Sequence, residues 1–154
     1  MPGTVQVAVV GHNDPPPEVI QWAEEVGQRL AQKGAAVVCG GLGGVMEAVA
    51  RGAFEAGGLT VGILPGYEAR AANPFVRVVI PSGLGHARNV LVVASGDVVI
   101  AFPGSYGTLS EVALALKLGK KVIGLNAWMG VEGVIQVRTP QEAVELAIAT
   151  VQKP

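Results

Sequence analysis

The sequence predicts an open, doubly wound parallel α/β sheet with helices on both faces, and three observations carry that prediction. Short Val/Ile-rich runs alternate with longer helical patterns along the whole chain. Those runs are apolar almost throughout, which is how strands read when both faces of a parallel sheet are covered. Each glycine cluster directly follows a strand: Gly11-His12-Asn13, Gly40-Gly41-Leu42-Gly43-Gly44 and Pro103-Gly104-Ser105-Tyr106-Gly107. Right-handed crossovers place all such ends on one edge of the sheet, where ligands bind.

Taken in order, the first strand is predicted over Val5–Val10. A helix follows from Pro17 to Lys33, with Val19, Trp22, Ala23, Val26 and Leu30 on one stripe and Gly34 as its stop. The second strand, Ala35–Cys39, leads through the five-residue Gly-rich turn to a helix over Gly44–Ala56. Its Val45, Ala48, Val49 and Gly52 suggest close packing on the sheet. Strands over Leu59–Leu64 and Val76–Ile80 flank a polar loop, Pro65–Pro74, that reads as a lid or as plain connection. Ser82 is the expected N-cap of a third helix, Gly85–Ala94. Strand Asp97–Phe102, helix Tyr106–Leu118 and strands Val122–Leu125 and Val134–Val137 come next. The last helix, Pro140–Val151, opens on a proline with Thr139 as its cap. No linker or repeat interrupts the pattern, so residues 1–154 read as a single Rossmann-like nucleotide-binding domain.

Composition excludes several classes. Half the residues are hydrophobic and 15% are charged, which rules out disorder. The formal net charge of -1 offers no basic footing for nucleic acid. Cys39 is the sole cysteine, and His12 and His86 are the only histidines, without zinc-type spacing. Neither a metal nor a cofactor is expected. The two histidines read as hydrogen-bonded loop residues. Gly, Pro and charges interrupt every apolar run short of a membrane span, and the N-terminus lacks a charged leader with a cleavage site. The resulting expectation is a cytoplasmic protein with no membrane partner.

The richest stretch is PGSYGTLSE, Pro103 to Glu111, where a strand turns through glycines into a helix. Such a junction presents unpaired N–H groups and the positive end of a helix dipole, a setting suited to phosphate. It also carries a hydroxyl, Thr108, and an acid, Glu111. The bland account is a capping box, S/T-x-x-E. A cap does not call for Gly104 or Gly107, whereas close approach of a ligand does. Gly11, Gly41, Gly43 and Gly44 are the matching candidates on the earlier turns, with Ser105 and Tyr106 on this one. Asn13 and Asp14 are left open. Arg88 lies near a helix N-terminus, where the dipole disfavours a cation. Either it serves a site or it forms a salt bridge with Glu111 or Glu47. Helices three and four are apolar nearly all round at Val90–Ala94 and Val112–Leu116, which predicts a homodimer built on them.

Together these motifs resemble the LOG family of cytokinin-activating nucleoside-monophosphate phosphoribohydrolases, within the SLOG superfamily. PGSYGTLSE is similar to the family's PGGxGTxxE with Ser105 in place of the second glycine, and GGLGGVMEA resembles its earlier glycine turn. The resemblance implies Arg88 and Glu111 as a catalytic pair, with Gly104, Gly107 and Thr108 holding a 5′-phosphate. The implied reaction releases a free base and ribose 5-phosphate through an oxocarbenium-like state. Asn89 stands where LOG enzymes carry a lysine, and the chain is shorter than theirs. In those respects it looks closer to the small SLOG branch containing the molybdenum-cofactor carrier proteins, which implies the alternative of a carrier or sensor for a phosphorylated pterin or nucleotide. Older labels called such proteins possible lysine decarboxylases, but no lysine here occupies a Gly-rich strand end to anchor pyridoxal phosphate.

Overall fold

The computed structural model describes residues 3–151. All seven predicted strands and five helices form, with boundaries shifted by up to three residues; the largest shift is at the third helix, which begins at Arg88 and not at Gly85. The strands are β1 (Gln6–Val10), β2 (Ala36–Cys39), β3 (Thr60–Leu64), β4 (Val78–Pro81), β5 (Val98–Ala101), β6 (Val122–Leu125) and β7 (Val134–Val137). The helices are α1 (Pro17–Gln32), α2 (Val45–Glu55), α3 (Arg88–Ser95), α4 (Tyr106–Lys117) and α5 (Pro140–Val151). Every strand pair is parallel and the order is β4-β3-β2-β1-β5-β6-β7.

The apolar runs explain both faces. Alternate residues of the central strands enter two separate cores. Val7, Val9, Val37, Ile100 and Phe102 meet α1, α2 and α5, whereas Ala8, Val10, Val38, Val99 and Ala101 meet α3 and α4. The chain winds outward from β1 to β4, then returns to β5 beside β1. At that reversal the helices after β1 and β5 leave toward opposite faces, which opens a crevice between the two strand ends.

Gly34 ends the first helix region with φ 77°. Thr139 caps α5 as expected, its Oγ1 accepting the Glu142 N–H at 3.1 Å. Gly52, in contrast, packs against α1 and not against the sheet. A Cβ on Gly52 would lie 2.0 Å from the Glu24 carbonyl oxygen, and one on Gly27 would lie 2.1 Å from that of Val49. These two glycines set the close crossing of α1 and α2. Gly52→Val is therefore expected to lower unfolding free energy by about 3 kcal/mol, because backbone has to move apart. Urea denaturation checks this, and an unchanged midpoint would refute the close crossing.

Candidate functional site

The glycine turns do converge. Gly11 brings β1 against β5 and α2: a Cβ there would lie 2.8 Å from both Phe102 Cβ and Val45 Cγ2. The His12 N–H donates to Pro103 O at 3.0 Å, and His12 O accepts the Val45 N–H at 3.0 Å. One residue thus ties the first turn to the other two. Gly44, at φ 66°, lets the His12-Asn13 backbone pass where a side chain would otherwise be. The result is a cleft of about 550 Å³, lined by Gly11, His12, Asn13, Gly40, Leu42, Gly43, Met46, Pro65, His86, Arg88, Asn89, Ser105, Gly107, Thr108 and Glu111. That volume falls in the range of small-molecule sites.

The opening of α4 forms one wall. Ser105 is the N-cap residue, but no side chain caps the helix. The first intrahelical bond runs from the Leu109 N–H to Ser105 O at 2.9 Å. The N–H groups of Tyr106, Gly107 and Thr108 precede it and so have no intrahelical acceptor. The capping box does not form, since Thr108 is already inside the helix and both Thr108 and Glu111 are buried. Thr108 packs instead on Gly104, where a Cβ would lie 2.1 Å from its Oγ1. Gly107 is different. A Cβ added at Gly107 or at Gly43 would meet nothing within 4 Å. Packing does not demand a glycine at either position, and inside α4 it costs roughly 1 kcal/mol relative to alanine. Both leave open space on the cleft wall.

Arg88 begins α3, after a 3-10 turn over Gly85–Ala87. Its guanidinium lies over Gly40, where a Cβ would be 2.8 Å from Nη2. Neither salt bridge considered from the sequence is present among the described residues: Glu47 pairs with Arg51 at 3.0 Å, and Arg88 pairs with no carboxylate. Its Nη1 donates to Asn89 Oδ1, and its buried Nε has no partner. Glu111 shares the cleft at 8% exposure. Burial pushes its carboxyl up from 4.5 to about 7, and the nearby arginine limits the rise. Cys39 lies beneath; burial pushes its thiol to about 11, so it stays neutral and unreactive.

Of the candidates, Gly11, Gly43, Arg88, Ser105, Gly107, Thr108 and Glu111 line one cleft. Gly41 (φ 79°), Gly44 and Gly104 shape its walls from behind, and Tyr106, 87% exposed, does not line it. Asn13 reaches the cleft, whereas Asp14 does not line it. His12 is hydrogen-bonded as expected, its Nδ1 accepting the Asp14 N–H at 2.8 Å, while His86 is exposed on the rim. Ser82 does not cap α3. Its hydroxyl donates to Leu64 O at 2.6 Å and accepts the Leu84 N–H at 3.2 Å, a local turn that competes with capping. The loop Pro65–Pro74 is tied down near both ends. Buried Asn73 donates its N–H to Gly41 O and its side-chain amide to Leu42 O, both at 2.9 Å. Gly83 and Gly85 donate to Gly66 O and Pro65 O. Asn73 and Asn89 were not singled out for these roles, because hydrogen bonds across 31 and 21 residues leave no local spacing signal.

No group of metal-binding side chains occurs among the described residues, and none of their helices is long and apolar enough to cross a membrane. The fold closely matches the molybdenum cofactor binding protein from Rippkaea orientalis, with a TM-score of 0.93 and 37% identity over 97% of this chain and 99% of that one. The molybdenum cofactor carrier protein of Chlamydomonas reinhardtii matches with a TM-score of 0.91 and 30% identity, covering 98% and 100%. A cytokinin riboside 5′-monophosphate phosphoribohydrolase of Mycobacterium tuberculosis is 31% identical over 75% of this chain and 67% of its own. The SLOG cluster4 family model matches residues 4–153. With its glycine turns gathered at one sheet edge and its sequence matched from end to end, the chain belongs to the SLOG cluster4 family.

Proposed function

We propose that the cleft binds a small phosphorylated ligand carrying a heterocyclic ring, and that the protein is a carrier for a pterin of the molybdenum-cofactor type. The observation that carries this reading is the end-to-end likeness to molybdenum cofactor binding and carrier proteins, at 37% identity for the Rippkaea orientalis protein. The geometry agrees with it. A phosphate at the start of α4 would meet free N–H groups, the helix dipole and the Arg88 guanidinium. Gly43 and Gly107 leave room for the ligand to approach the backbone.

One observation favours turnover as the second reading. Glu111 is a buried acid near Arg88 with its carboxyl at about 7, poised to donate or accept a proton near neutrality. Beside a nucleoside 5′-monophosphate it would orient water at the anomeric carbon or protonate the departing base. The sequence ranks that hydrolysis first; we place it second because the carrier likeness spans 97% of this chain and 99% of the other. A homodimer fits both readings, since Val90 and Leu91 of α3 are each 38% exposed and a second copy would cover them. Light scattering after size exclusion should give twice the 15.7 kDa chain mass.

The deciding experiment offers the pure protein molybdopterin cofactor, AMP and cytokinin ribotides. The carrier reading expects the pterin to co-elute through gel filtration while the nucleotides yield no free base. Release of base that Glu111→Gln abolishes, with the fold intact, would establish the hydrolase instead.

A further inference from the structure

We propose that Asn89 is a positioning residue that holds the Arg88 guanidinium away from Glu111, so that the cation stays free for an anionic ligand. The inference rests on reading Arg88 as the anion-binding group.

An arginine on a long stem facing a buried carboxylate closes into an ion pair unless something restrains it, because the cleft screens their attraction less than bulk water does. Here the pair is open. The restraint is visible. The Arg88 guanidinium lies over Gly40 and its Nη1 donates to the Asn89 side-chain oxygen. Asn89 is 6% exposed and is itself fixed, its Nδ2 donating to Ser110 Oγ at 3.1 Å. The Ser110 hydroxyl spends its only proton on Gly107 O, at 2.6 Å. Its oxygen is therefore left as an acceptor, which only the NH₂ side of the amide satisfies. That sets the orientation of Asn89 and turns its acceptor oxygen toward the guanidinium.

Few side chains fit this role. The group has to accept a hydrogen bond from arginine, so lysine fails. It has to be neutral, because an aspartate would neutralise the guanidinium that a ligand needs. It has to be short enough to reach Ser110 from the opening turn of α3. The relay ends on Gly107, in the first turn of α4. It therefore sets the cation relative to the N–H groups that would face the same anion.

The test needs no ligand to begin with. Glu111 reports the arginine's position, and its carboxyl is followed by carbon-13 NMR titration of wild type, Asn89→Leu, Ser110→Ala and Arg88→Met. His12 and His86, which also line the cleft, are followed in the same spectra. In Asn89→Leu the freed guanidinium closes onto Glu111, so the carboxyl titrates about one pH unit lower, a tenfold change in proton affinity. Ser110→Ala gives a smaller shift in the same direction, and Arg88→Met shifts the carboxyl upward. Inorganic phosphate binding by calorimetry weakens about tenfold in Asn89→Leu, as a carboxylate replaces the ligand. Should Asn89→Leu fail to fold, Ser110→Ala decides, since Ser110 is only partly buried. The proposal is overturned if Glu111 titrates at or above its wild-type pH in the folded Asn89 and Ser110 variants. A downward shift in a protein whose wild type ignores phosphate and phosphorylated pterins would uphold the positioning role and remove the carrier reading.

Discussion

Glu111→Gln is expected to make the protein more stable above pH 7 by about 3 kcal/mol, with no gain below about pH 4.5. The folded state holds the Glu111 proton up to about 7, whereas the unfolded chain releases it near 4.5. Between those values the folded state binds more protons, so raising the pH costs stability across that window and no further above it. At about 1.4 kcal/mol per pH unit the window is worth about 3 kcal/mol. Glutamine resembles the neutral acid and has nothing to lose as pH rises. Urea denaturation at pH 4 and pH 8.5 checks the result; an equal gain at both values would mean that burial does not perturb the carboxyl.

The same acid shows what local sequence reveals and what it hides. Thr108-Leu-Ser-Glu111 and Thr139-Pro-Gln-Glu142 match one capping pattern, and only the second acts as a cap. The difference lies in where the helix begins. Pro140 fixes φ at the first helical position and leaves Thr139 outside. In α4 the helix starts at Tyr106, so Thr108 is drawn inside and turned onto Gly104. The parallel sheet and the gathering of the glycine turns at one of its edges were legible because burial on both faces writes continuous apolar runs, and turns at strand ends write glycines. The placing of Gly11, Arg88, Thr108 and Glu111 on one cleft followed from that gathering. The bonds of Asn73 and Asn89 were not, and Asn89 was noticed only as a departure from lysine, since buried amides bridging distant segments carry no periodicity. Gly52 misled because a small residue on a helix signals close approach without saying to what. Its neighbour is the Glu24 carbonyl of α1.

Arg88→Met is expected to weaken binding of phosphorylated ligands by about 100-fold while leaving the folded state nearly as stable. The loss follows from removing a charge-assisted, forked donor from a partly dry site, worth about 2 to 3 kcal/mol. Stability is spared because Arg88 closes no ion pair and its Nε is buried without a partner, so methionine replaces an incompletely satisfied cation with a chain of similar length. Arg88→Lys should not restore affinity. An ammonium is a compact point charge and lacks the planar guanidinium whose Nη1 is held by Asn89. Titration calorimetry with AMP, inorganic phosphate and phosphorylated pterins at two salt concentrations reads the effect. The wild-type affinity falls with salt and the Arg88→Met affinity changes less. Full affinity in Arg88→Met would move the anion to the α4 N-terminus alone and leave the arginine without a part in binding. Loss of binding together with an upward move of the Glu111 titration would tie both residues to one electrostatic unit, the cation lowering the acid and drawing the ligand to the same place.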